Sequence, residues 1–108
     1  MSGRLMSRKV RTISGATLTT SYQAVGTVVT IPAYKIAIVN ATTTDVNVTD
    51  GTTNDAYYIP AGSSLSVGEG FVQGNDAGAS EPGQTVYMAK LVSGAAGTGT
   101  LIITVFGL

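Results

Sequence analysis

The chain contains no cysteine, no histidine and no tryptophan. Without cysteine there is no disulfide framework, no thiolate metal site and no thiol nucleophile. Without histidine the usual general base of a nucleophilic triad is missing, and so is the side chain that titrates near neutral pH. Charge is scarce too. Asp, Glu, Lys and Arg make up 11% of the chain, against about 25% in ordinary soluble domains. No run approaches the ~18–20 consecutive apolar residues of a membrane helix, so no membrane partner is expected. The basic start is not followed by an apolar run and does not read as a secretory signal. A cytoplasm is therefore the expected place of synthesis. Long helix formers are sparse and no helical period appears, which argues against a parallel sheet with helical crossovers.

What is present points to strands. Glycine supplies 14 of 108 residues, threonine is frequent, and Val, Ile and Leu recur at period two. This is the composition of a β protein with many turns. The length suits one domain, large enough to bury a core without cross-links. The clearest strand is 34–40, with Tyr34, Ile36 and Ile38 on one face and Lys35, Ala37 and Val39 on the other. Residues 45–49 alternate, with Val46 and Val48 inward. Asp50-Gly51 and Pro60-Ala61-Gly62 are turn signals. Between and after them, 56–59 and 63–67 complete a predicted three-stranded meander. Residues 84–92 form a further strand, and 93–99 a Gly/Ala hairpin loop. Residues 101–106 are apolar on both faces, as in a central strand. Seven to nine strands with frequent turns give an all-β fold, an antiparallel β-sandwich or small jelly roll.

The six basic residues are unevenly placed. Arg4, Arg8, Lys9 and Arg11 lie in the first eleven positions. Beyond them Lys35 and Lys90 face Asp45, Asp50, Asp55, Glu69, Asp76 and Glu81, so a +4 start precedes a body of 2 − 6 = −4. Residues 1–13 therefore read as a flexible basic N-terminal arm and 14–108 as the β-sandwich domain. The arm is expected to dock on a protein surface through Arg4, Arg8, Lys9 and Arg11. The loop over 68–83 is long, with Phe71 and Val72 as its only large apolar pair, and is expected to be a second contact. Nucleic acid is disfavoured as a partner. The acidic body would repel a phosphate backbone, and no aromatic interleaves the arm for base stacking.

Catalytic and metal signals are poor. Lys35 and Lys90 sit on strands and read as solvated or paired side chains. Asp45, Asn47, Asp50 and Asp55 resemble a calcium loop only superficially, because Gly51 comes one place late, position 12 lacks Glu and the flanks read as strands. Neither a metal nor a cofactor is expected, and the chain does not read as an enzyme. Asn40-Ala41-Thr42 and Asn47-Val48-Thr49 match the N-glycosylation acceptor pattern. Without a secretory signal both read as products of a Thr-rich composition. Tyr57 and Tyr58 point to opposite faces of one strand, so a row of tyrosines for carbohydrate binding is not written in the sequence.

The run Ser14-Gly15-Ala16-Thr17-Leu18-Thr19-Thr20-Ser21-Tyr22-Gln23-Ala24-Val25-Gly26 resembles openings of small virion structural proteins of tailed bacteriophages. Ile36-Ala37-Ile38-Val39-Asn40, Asp45-Val46-Asn47-Val48-Thr49-Asp50-Gly51 and Ile59-Pro60-Ala61-Gly62-Ser63-Ser64 extend the resemblance over about residues 14 to 67. It implies a bacteriophage structural protein of the virion, assembled in the host cytoplasm. The favoured member of that group is a capsid decoration (cement) protein bound to the major capsid protein or another virion protein. A homo-oligomer is expected, with a trimer favoured. Head–tail connectors and tail or fibre components belong to the same group. A carbohydrate-binding module is the alternative of another class.

Overall fold

Alternation along short segments, with turns between them, produces strands that each bury one face. The computed structural model describes residues 7–30, 33–50, 57–68 and 85–107. They form β1 (Ser7–Ser14), β2 (Gln23–Ala24), β3 (Ala33–Thr42), β4 (Val46–Thr49), β5 (Tyr57–Ile59), β6 (Ser64–Gly68), β7 (Met88–Leu91) and β8 (Gly99–Gly107). A single 3-10 turn over Gly15–Thr17 follows β1, where the Ser14 hydroxyl oxygen accepts from the Ala16 amide. The strands make two four-stranded sheets, ordered β1-β8-β3-β6 and β2-β7-β4-β5. All described ladders are antiparallel.

The pairing runs from the outside of the chain inward: β1 with β8, β2 with β7, β3 with β6, and β4 with β5. A long hairpin paired in this way rolls up when β3 also meets β8 and β4 meets β7. The result is the jelly-roll form of the sandwich. Its core is Ile36 and Ile38 of β3, Val46 and Val48 of β4, Ile59, Ala89, Leu91, and Leu101, Ile103 and Val105 of β8. Leu18, Val25, Val29 and Tyr87 fill it from the connections. β8 is central in its sheet, as its two apolar faces required.

Four expectations need correction. Residues 7–13, read as arm, belong to β1, which pairs with β8 from Ser7↔Gly107 to Ser14↔Thr100. The charges masked the strand's alternation. Long Arg and Lys stems can cover apolar surface while their heads stay wet, which suits an edge strand. Residues 1–6, with Arg4, lie outside the described residues. The three-stranded meander is also not formed, because β6 pairs with β3 in the other sheet. Residues 93–99 are not a hairpin loop, since they join strands of different sheets. Finally, the β-branched run Val28-Val29-Thr30-Ile31 predicts a strand, yet its described part forms only the isolated bridge Val29↔Thr85. Alternation states which face of a strand is buried; it carries no information on which sheet the strand joins. The 51–56 turn and the predicted loop beyond Gly68, with Phe71 and Val72, lie outside the described residues.

The crossover from β5 to β6 is organised by one buried polar residue. Asn40 is 0% exposed. Its main chain binds the turn on both sides: its N–H donates to Ser63 O and its carbonyl accepts from Gly62 N, each at 2.8 Å. Its side-chain Nδ2 donates to Thr44 O at 2.8 Å and to Ile59 O at 2.9 Å. Oδ1 accepts from the Thr42 amide at 3.0 Å and faces the buried Thr42 hydroxyl. One side chain thus links the end of β3, the β3–β4 turn and the end of β5.

Replacing Asn40 by Ala would remove the side-chain partners of the Ile59 carbonyl and the Thr42 amide in a buried site and leave Thr44 O to the Thr42 hydroxyl alone. Asn40→Ala is expected to cost about 2–4 kcal/mol, read from denaturant midpoints. Asn40→Asp sets a carboxylate against two carbonyl oxygens, which raises its folded-state pKa. That variant should be most stable at acid pH, where the carboxyl can donate. It should lose stability as pH rises through the raised value. An Asn40→Asp melt that is flat from acid to neutral pH would contradict the network.

Candidate functional site

The outward face of the β1-β8-β3-β6 sheet is set by register. Arg8, Phe106 and Lys35 lie side by side across three strands. The next row is Val10, Thr104, Ala37 and Ser66, and the one after it is Thr12, Ile102, Val39 and Ser64. Val10 and Val39 are 48% and 41% exposed. Ile102 and Phe106 are half-buried. The Lys35 ammonium stands 5.5 Å from the Phe106 ring centroid, a cation–π contact. The face therefore has an aliphatic centre and a cation-flanked aromatic at one end.

Charge is segregated between the sheets. The four strands of this sheet hold Arg8, Lys9, Arg11 and Lys35 and no Asp or Glu. Asp45 and Asp50 instead bracket β4 in the opposite sheet. Of the sequence-predicted partner residues, Arg8 and Lys9 are exposed on β1. Arg11 has a different job. It lies opposite Ile103 on the inward side, and its guanidinium leaves the sheet edge for the turn after β2. Nε donates to Thr27 O at 2.9 Å, Nη2 to Val28 O at 3.0 Å and Nη1 to Val10 O at 3.0 Å. Gly26 makes room for it: φ is +73°, and a Cβ there would lie 2.6 Å from Arg11 Cδ. Arg4, Phe71 and Val72 fall outside the described residues.

The outward face of the other sheet carries a second row. Asn47 lies between Lys90 and Tyr58, and the Lys90 ammonium sits 4.9 Å from the Tyr22 ring centroid. Tyr22 and Tyr58 are 37% and 55% exposed. The Tyr58 hydroxyl donates to Asp45 Oδ2 at 3.0 Å, and Asp45 Oδ1 accepts from the Ala61 amide at 2.9 Å. Tyr57 faces inward at the core margin. Sequence reasoning missed the pairing of Tyr22 with Tyr58 on one face, because cross-strand register creates it. Among the described residues no group of three or more Asp or Glu comes together. Asn40, in the first acceptor pattern, is buried with its amide fully used and is closed to glycosylation in the folded chain.

Two tyrosines have displaced acidities. The hydrogen bond to Asp45, with desolvation and the Asp45 charge adding, holds the Tyr58 phenol above its ordinary range. Burial pushes the Tyr87 phenol far higher, with Asp50 and Tyr57 adding.

Arg11→Lys is expected to lose about 1–2 kcal/mol of stability, since an ammonium cannot span carbonyls that the guanidinium fork reaches together. Denaturant unfolding measures this, and Arg8→Lys on the open face should leave the midpoint unchanged. The pH profile follows from the residues present. With no histidine, thermal stability should be nearly flat from roughly pH 6 to 8. Tyr58 and Tyr87 have raised folded-state pKa values. Their contribution is present below the unfolded value near ~10 and is lost as pH rises through the folded values. Melting temperatures should therefore fall only in alkali, and Asp45→Asn should bring the Tyr58 phenol back toward its ordinary range in an absorbance titration.

Comparison with known proteins gives no match to a family model, to a curated protein or to a solved structure.

Proposed function

We propose that this chain is a non-enzymatic virion structural protein of a tailed bacteriophage, and specifically a capsid decoration (cement) protein. The observation that carries the reading is the open face of the β1-β8-β3-β6 sheet, with Val10 and Val39 exposed around a cation-flanked Phe106. Exposed apolar patches rimmed by polar groups mark interaction surfaces. The jelly roll is an architecture that viral capsid domains use, an argument from analogy that raises the prior and does no more. The sequence resemblance points the same way. A cement protein holds a shell by burying surface across subunit joints, and many modest contacts acting together suffice. It needs rigid strands and no titrating switch. Its partner in this reading is the major capsid protein, and it acts as a closed homo-oligomer, a trimer at threefold positions.

The test is the copy number in purified virions, measured by quantitative mass spectrometry. Decoration requires hundreds of copies per particle, while a head–tail or tail component, built as a closed ring, would number only ~3–12. Absence from the virion would overturn the whole reading. A second reading, a carbohydrate-binding module, is favoured by Tyr22 and Tyr58 at opposite sides of one exposed face. Retardation of the protein in host polysaccharide gels, abolished by Tyr58→Ala, would establish it instead.

A further inference from the structure

We infer that the outward face of the β1-β8-β3-β6 sheet docks on an acidic surface of a different protein, and that it is not a face through which copies of this chain stack on one another. The inference rests on the proposed decoration role and names the chemistry of the surface being decorated.

The argument starts from charge. Arg8 and Lys35 are the cations of this face, since Lys9 lies opposite Val105 and alternates to the other side with Arg11, and none of the sheet's four strands carries a carboxylate. Face-to-face stacking of two copies with these ends in register would set two cations against two, with no carboxylate on the described strands to compensate them. Like charges brought together in an interface cost several kcal/mol and suppress the wrong partner. The face is therefore selective against itself. It is complementary to a surface that is apolar at its centre and carries carboxylates at one end.

The arrangement of that end supports a protein partner. Register puts Phe106 between Arg8 and Lys35. The ring is half-buried, and Lys35 is held over it. Arg8 can fork onto a carboxylate in two parallel bonds, and Lys35 can take a second carboxylate as a point charge. Arginine is among the residues enriched at the energetic centres of protein interfaces, and aromatic side chains are enriched in their contact area. The two rows beyond it offer Val10, Val39 and Ile102 with Ser and Thr hydroxyls. Phosphates have no use for that aliphatic centre, so a nucleic-acid backbone fits the face poorly.

The experiment uses the full chain and virion shells stripped of it, with half-saturation read by quantitative sedimentation across a salt series. Three variants accompany the wild type: Arg8→Glu with Lys35→Glu, Arg8→Gln with Lys35→Gln, and Val10→Thr with Val39→Thr. All lie on the open face, and thermal melts confirm that each folds. The wild type should weaken steeply with salt. The charge reversal should weaken binding on the order of 100-fold and the neutral pair less, in the same direction. The valine pair should weaken binding roughly tenfold while keeping the salt slope. Shell binding that ignores both charge variants overturns this inference and leaves the decoration role standing. No shell binding by the wild type overturns both. An oligomer in light scattering that Val10→Thr with Val39→Thr dissociates would make the face a self-interface and overturn the inference. So would tighter wild-type binding to a short DNA duplex than to the shells.

Discussion

The fold depends on a fully satisfied polar cluster placed where a strand leaves one sheet for the other. A jelly roll needs its chain to cross between layers repeatedly, and each crossing threatens to bury backbone groups without partners. At the β5–β6 crossing, Asn40 supplies four of the needed bonds from one position, two from its main chain and two from Nδ2. Thr42 completes the site, and no buried side-chain polar atom among the described residues is left without a partner. An apolar residue at 40 would pack as well and leave the turn unheld. The buried amide thus selects one crossing among those that a hydrophobic pattern alone would permit.

A similar economy governs the open side of the sandwich. β1 is an edge strand of eight residues, long enough to invite pairing with another chain. Arg11 answers this by reaching from the edge to Thr27 and Val28 and by covering the Val10 carbonyl. The same side chain ties the edge of one sheet to the turn beyond β2. Its neighbours Arg8 and Lys9 remain exposed. Three cations close together in sequence therefore divide into one that holds the fold and two that remain available to a partner. Period two sends Arg8 outward and Lys9 and Arg11 to the other side, where Arg11 reaches the Thr27 and Val28 carbonyls.

Both sheets present an aromatic beside a lysine to solvent, Phe106 with Lys35 and Tyr22 with Lys90. Their surroundings differ. Around Phe106 the face is aliphatic and the described strands carry no carboxylate, whereas the other sheet sets Asn47, Tyr58 and Asp45 in a polar row. The first suits a broad protein contact and the second a smaller, more polar ligand. This contrast ranks decoration above carbohydrate binding as the reading of the molecule.

Alternation determined the all-β class, the division of β3 into two faces and the inward valines of β4, and two-sided apolarity pointed to the central place of β8, because both are local properties. Absence of histidine and cysteine excluded imidazole and thiol roles and nothing beyond them. The tertiary structure decided the rest. It turned residues 7–13 from arm into edge strand, since only pairing with β8 gives that segment a reason to be extended. It placed β6 beside β3 instead of β5, because sheet membership depends on partners far away in sequence. It also made Asn40 the tie of a crossover, Arg11 a clamp and Phe106 the centre of a cation-flanked row. Each of these roles rests on a neighbour brought close by register, and register is a property of the folded pair of strands that neither strand carries by itself.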